Sequence, residues 1–304
     1  MSAKLSLLQL GLLTLARSVM GQQVNGEDYD SPDAGPPADY FAADASLPVD
    51  KILSAVSKLS DVGDSYPLST ESDQESKIFS DWASFDEGAA IVFTADMDVD
   101  CDGLDYQCDG NEDGQDQTNW GSLAAYEVPF IVIPDEYLTN NEETLSGNNI
   151  AAVICNGKIF YGILGDSNGN DPQVTGEASW LMARTCFPDD NLAGDKGHGD
   201  ADVTYILFLG EKAVLPGDVI DENYISDFGK LKSMGNDLMN SLLSNIGLNG
   251  DPQTDPTSTS TSTATPTPTG GDCSWPGHCE GASCSSDDDC SDDLACNDGS
   301  CSPP

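Results

Sequence analysis

The chain has 304 residues, with 53 Asp or Glu against 11 Lys or Arg, a formal net charge of -42 at pH 7. So few cations cannot neutralise phosphate, which argues against nucleic acid or an anionic membrane surface as partner and makes a polycation the natural opposite; acidity kept for solubility explains the same charge equally well. Residues 1–21 open with Met1-Ser2-Ala3-Lys4, run through the apolar stretch Leu5 to Leu15 and reach small residues near Val19-Met20-Gly21. That is the layout of a secretory signal peptide, too short to be read as a membrane anchor, so the mature chain is expected to start near Gln22 and to be extracellular. Secretion permits disulfides. The cysteines divide into Cys101, Cys108, Cys155 and Cys186 and a second, even-numbered set between Cys273 and Cys301, so pairing is expected with the connectivity left open.

Residues 22–45, rich in Asp, Pro, Gly and Ala, read as a poorly ordered lead-in. A body over 46–250 follows, long enough for one substantial core. Pro48 to Leu59 sets Val49, Ile52, Leu53, Val56 and Leu59 on one helical face, a packing stripe. Short β-branched runs then recur between turn signals: Ala89 to Ala95, Val128 to Ile133, Ala151 to Cys155, Lys158 to Leu164 and Val203 to Leu209. They predict strands and a mainly β body. Asn156-Gly157, between two such runs, predicts a two-residue hairpin turn. From Ile225 to Ile246, Phe228, Leu231, Met234, Leu238, Leu242 and Ile246 mark a second helix packed on the core. Residues 251–271 alternate Ser, Thr and Pro and read as an extended linker suited to O-glycosylation. Residues 272–304 carry cysteines with almost no aliphatic side chains, so cross-links must hold this small second module together.

The most informative stretch is Tyr161-Gly-Ile-Leu-Gly-Asp-Ser, which ends an apolar strand on Asp166, followed across a Gly/Asn/Pro loop by Gly176-Glu-Ala-Ser-Trp. Asp166 and Glu177 thus flank one loop. Acetal hydrolysis needs one carboxylic acid to protonate the leaving oxygen and one carboxylate on the anomeric side. In so acidic a chain, a turn cap and a helix-start acid account for the same two residues. Five ordered blocks favour the catalytic reading: Ala95-Asp-Met-Asp-Val-Asp-Cys-Asp-Gly, Glu127-Val-Pro-Phe-Ile-Val-Ile-Pro, Phe160-Tyr-Gly-Ile-Leu-Gly-Asp-Ser, Gly176-Glu-Ala-Ser and Asp202-Val-Thr-Tyr-Ile-Leu-Phe.

Over residues 46–246 these blocks resemble the fungal chitosanase family of inverting glycoside hydrolases. The resemblance implies a double-psi-like β-barrel with peripheral helices. It also implies endo-hydrolysis of β-1,4 links in chitosan without a cofactor, with the family's essential Asp and Glu falling on Asp166 and Glu177. Glu177 is assigned as acid and Asp166 as base because Glu starts from the higher pKa. Asp96, Asp98 and Asp100 are expected to hold substrate ammonium groups, with Tyr126 and Trp275 as further sugar contacts. A monomer is expected.

Competing sites have less support. Asp98, Asp100, Asp102 and Asp109, with Gly103 at the sixth position, match a calcium-loop spacing, but the run before them reads as strand rather than helix, and Cys101 and Cys108 are placed to close the loop. His198 and His278 lack a second nitrogen ligand at zinc spacing, so no metal is assigned. In the tail, Trp275 and His278 suit either a sugar-binding module or a protease-resistant cap. A non-catalytic acidic wall or calcium-binding protein on a similar barrel is the rival reading, because the carboxyl pair alone does not exclude it.

Overall fold

The β-branched runs form strands, and those strands close a barrel. In the computed structural model, residues 22–248, 290, 294–297 and 300–302 are described. They belong to two units, Met1–Gly250 and Asp251–Pro304. In the first, β1 (Val62–Pro67), β2 (Glu75–Phe79), β3 (Ala90–Asp100), β4 (Phe130–Pro134), β5 (Ile150–Cys155), β6 (Lys158–Asn168), β7 (Glu177–Ser179) and β8 (His198–Phe208) make one sheet. Its order is β1-β2-β3-β7-β4-β6-β5-β8, and a further β3–β8 ladder closes the last six strands on themselves. β3 with β7 and β4 with β6 run parallel, while the other barrel pairs are antiparallel. The mainly β, double-psi-like barrel expected from the sequence is therefore the fold, with β1 and β2 as an antiparallel flap on β3.

Closure removes free strand edges and gives the apolar runs a common interior. Phe93, Phe130, Tyr161, Tyr205 and Phe208 are fully buried, and the rings of Phe93 and Tyr205 stack with centroids 4.7 Å apart. The β5–β6 hairpin turns on Asn156 and Gly157, both at positive φ (47° and 70°), as the sequence requires. Cys155–Cys186 ties that turn to α3 (Trp180–Cys186), and Asn156 Nδ2 donates to the Cys186 carbonyl at 2.7 Å.

The peripheral helices are shorter than their apolar periodicity suggests. α1 (Val49–Val56) buries Ile52 fully, and α2 (Asp135–Asn140) is a brief turn after β4. α4 (Phe228–Asn245) starts where Asp227 Oδ1 accepts the Lys230 N–H, and it buries Phe228, Leu231, Gly235, Met239, Leu242 and Leu243. Met234, Leu238 and Ile246, expected on its inner face, are only partly buried. The face is turned because Gly235 lies against the Tyr161 ring, where a Cβ would come within 2.4 Å, and this close approach brings Met239 and Leu243 inward.

Residues 22–45 correct the expectation of a poorly ordered lead-in. They run along the barrel, with bridges Gln23–Asp227 and Ala42–Phe160, and the Tyr161 N–H donates to the Phe41 carbonyl at 2.8 Å. Phe41 is wholly buried, and Arg184 Nη1 donates to the carbonyls of Ser31 and Pro32. These anchors come from distant parts of the chain, so local composition could not reveal them.

In the second unit, β9 (Ala295–Asn297) and β10 (Ser300–Ser302) pair antiparallel and Cys290 is bonded to Cys301. Trp275, His278 and the Ser/Thr/Pro stretch lie outside the described residues. In the body, Cys101–Cys108 and Cys155–Cys186 are the pairs, and no described cysteine is free. No helix among the described residues is long and apolar enough to cross a membrane.

Candidate active site

Three strands bring the acidic residues together. On β3, Asp96, Asp98 and Asp100 alternate with Met97 and Val99, so strand geometry puts the three carboxyls on one face and the apolar pair on the other. Asp98 is the register partner of Glu177 in the parallel β3–β7 ladder. β7 also pairs with β4, which runs parallel to β6 and sets Val132 opposite Asp166. The end of β6 and the start of β7 therefore meet across β4, and Asp166 and Glu177 approach from either side of the loop that joins their strands.

Each carboxyl is held by named donors. Asp166 is 6 % exposed, and its Oδ1 accepts the Asn119 N–H at 3.0 Å and the Ser167 N–H at 2.8 Å. Burial pushes its pKa up to about 7 against these two donors, with Asp102 adding to the rise. Glu177 takes the Asn168 side-chain amide on both oxygens, at 3.0 and 2.8 Å. Burial first, then the charges of Asp98, Asp166 and Asp102, raise it to about 7 while Asn168 opposes them. Two acids with pKa near neutrality in one site are the usual mark of groups tuned for proton transfer.

Asp100 feels both. Burial, then Glu177, Asp166 and Asp102, hold its carboxyl well above the usual range, although the Asp102 N–H donates to its Oδ1 at 2.7 Å. One oxygen from each of Asp100, Asp102 and Asp166 lies within 4.8 Å of the other two, close enough to grip a single cation. Of the residues at calcium-loop spacing, only Asp100 and Asp102 join this group, and the third member is Asp166 rather than Asp98 or Asp109. The strand that carries Asp98 and Asp100 and the Cys101–Cys108 bridge give the segment a course unlike a helix-flanked calcium loop.

Asp96 sits deeper, 7 % exposed, with Oδ1 lacking a hydrogen-bond partner and burial lifting its pKa to about 7. Gly176, at φ 94°, lies against it; a Cβ there would come within 2.2 Å of Asp96 Oδ1. Asp98 is half-buried and raised by that burial. Tyr126 has other neighbours: its ring meets Trp180 edge-on at 5.6 Å, its N–H donates to Asp105 and its carbonyl accepts from Arg184. His198 stacks on Phe187 at 3.6 Å between Asp190 and Asp202, pairs with Met97 in the β3–β8 ladder, and lowers the pKa of Asp96.

Asn119 and Asn168 are the site residues that sequence reasoning missed, while Asp102 and Ser179 stood within the quoted blocks without an assigned part in the site. Asn168 had a signal, because a residue two positions beyond Asp166 on a strand shares its face. Ser179 is fully buried, accepts the Phe130 N–H at 3.1 Å and caps α3 by accepting the Met182 N–H at 3.3 Å, so it fixes the strand that carries Glu177. Asn119 reaches Asp166 through its backbone, which no side-chain pattern announces.

The chain is similar in sequence to known proteins. The model of the family described as fungal chitosanase of glycosyl hydrolase group 75 matches residues 97–241. Endo-chitosanase C of Aspergillus oryzae is 59% identical over 292 residues, covering 95% of this chain and 77% of that protein. An endo-chitosanase of Aspergillus oryzae is 38% identical over 146 residues, 42% of this chain and 58% of its own length. One from Aspergillus fumigatus is 36% identical over 137 residues, 40% of this chain and 56% of that protein.

Proposed function

The chain belongs to the fungal chitosanase family of glycosyl hydrolase group 75, and we propose that it is a secreted endo-chitosanase cutting β-1,4 links between glucosamine residues with inversion, Glu177 as general acid and Asp166 as general base. The observation that carries this reading is the carboxyl pair that β6 and β7 bring together, Asp166 buried and Glu177 half-buried, each lifted to about 7. Below that pH the pair retains a proton for the leaving oxygen. Two backbone N–H donors favour the ionised form of Asp166, which suits it to take the proton of an attacking water. Three neighbouring carboxylates disfavour the ionised form of Glu177, which suits it to give its proton away.

The acidic face of β3 supports a cationic substrate. Asp98 and Asp100, half-buried beside Glu177, are the groups available to substrate ammonium groups, and an approaching cation would favour their ionised forms. Tyr126 and, in the tail, Trp275 are proposed to contact sugar rings. Residues 46–250 then form the catalytic domain of a monomer, 251–271 its linker and 272–304 an appended cysteine-rich module, released by cleavage after residue 21. A chain charge of -42 would draw protonated polymer to the cleft at a rate that falls with added salt.

The test follows chitosan by viscosity and reads the first-formed product anomer by proton NMR. A fast viscosity fall with α-anomer appearing first supports endo-cleavage with inversion; β-anomer first rejects the inverting assignment, and unchanged viscosity rejects the activity.

A further inference from the structure

We propose that Asn168 is a positioning residue for catalysis: its side-chain amide fixes the plane of the Glu177 carboxyl and ties that group to the loop between the two catalytic strands. The inference rests on Glu177 being one of the two reacting acids. Asn168 is 8 % exposed and uses both ends of its amide. Nδ2 stands 3.0 and 2.8 Å from the two Glu177 oxygens, and Oδ1 accepts the Asn170 and Val174 N–H groups at 3.1 and 3.2 Å. Because an amide cannot exchange donor for acceptor without rotating, the two loop donors dictate that the NH2 end faces Glu177.

A nitrogen nearly equidistant from both oxygens fills the space between them, so a proton on Glu177 must sit on an outer edge, facing away from Asn168. On the proposed function, that is the edge from which the leaving oxygen takes the proton. The same contact opposes the rise in Glu177 pKa. The other groups facing Glu177 are the carboxyls of Asp98, Asp100, Asp102 and Asp166 and the Tyr205 hydroxyl, and none of the carboxylates can replace an N–H donor once ionised. Asn168 is thus the side chain that donates to Glu177 among the described residues.

Asn168→Asp separates positioning from support. It keeps the oxygen that receives the loop N–H groups and sets a second carboxyl against Glu177, so the tie to the loop is kept while the amide donor is lost and the two acids hold one proton between them. Expected are a thermal midpoint near that of the unaltered protein at pH 4.5, where the added carboxyl is protonated, a kcat about 10–100-fold lower with KM little changed, and an upper titration step at Glu177 about one pH unit higher. Carbon NMR of the side-chain carboxyl, assigned by its disappearance in Glu177→Gln, reads that pKa without any turnover. The limb of the kcat–pH profile governed by Glu177 should move alkaline by the same amount. Asn168→Ala, which also frees the loop, should shift the pKa in the same direction and lower the thermal midpoint. If the Glu177 resonance titrates in Asn168→Asp as it does in the unaltered protein, the inference is overturned, whatever happens to the rate. If the resonance moves as expected but the unaltered protein does not cleave chitosan, the hydrogen-bond role stands and the proposed activity fails.

Discussion

Replacing Glu127 by Gln should remove one distinct share of the pH dependence of this protein's stability. Glu127 is wholly buried; its Oε2 accepts the Ile225 N–H at 3.0 Å and its Oε1 has no partner. Burial, with Asp30 and Asp221 nearby, pushes its pKa from 4.5 to about 8 against the Ile225 hydrogen bond. The folded protein therefore holds the proton more tightly than the unfolded chain does. Stability from this group is complete below about pH 4.5, declines as pH rises and stops declining above about 8. At 1.36 kcal/mol per pH unit the full span is about 5 kcal/mol as an upper bound. Gln retains an acceptor for Ile225 and cannot ionise, so any fixed cost of its NH2 group applies equally at every pH. Urea unfolding at pH 4.5 and pH 8 should show the unaltered protein losing several kcal/mol more than the variant, or roughly 10 °C more in thermal midpoint. Asp96, Asp105, Asp166 and Glu177, each raised to about 7, act in the same direction and leave a residual slope in both proteins. Equal pH dependence in the two proteins would refute the reasoning.

Ser179→Ala strands the buried Phe130 N–H and removes the α3 cap, so it should destabilise the fold by about 2–4 kcal/mol in denaturant titrations. An unchanged unfolding midpoint would show that water or a backbone shift replaces the hydroxyl. Arg184→Met keeps the apolar stem but loses the hydrogen bonds to the carbonyls of Ser31, Pro32 and Tyr126. Hydrogen exchange should then speed at least tenfold across residues 22–36 while the barrel strands stay protected, and uniform exchange across the chain would contradict this local role.

The barrel strands were legible because their runs are short, β-branched and bounded by turns, and Asn156-Gly157 announced its own conformation. Closure was not, since the β3–β8 ladder joins residues more than a hundred positions apart and no local pattern encodes it. The ordered course of residues 22–45 escaped for the same reason: Phe41 reads as a lone aromatic in a polar segment until β6 is beside it. In the site, Asp166 was visible as a polar residue closing an apolar strand and Glu177 as the next acid across a loop. Asp100 stood in an acidic run whose alternation gave one shared face, but only the fold shows that it feels both of the other acids. The Asn119 backbone donor and the Asp102 carboxylate depend on the loop after β3 folding back, guided by Cys101–Cys108 and by Gln115 donating to Asp102. The Tyr126 ring meets Trp180 edge-on, a neighbour that its place in the sequence does not announce.

The most direct test measures reducing-end release from chitosan by the unaltered protein, Asp166→Asn and Glu177→Gln, each first matched for thermal midpoint. Removing an acid or base that transfers a proton in the transition state should lower kcat by about 10²–10⁴-fold in each variant. Release in either folded variant at close to the unaltered rate would show that the chemistry does not run through this carboxyl pair.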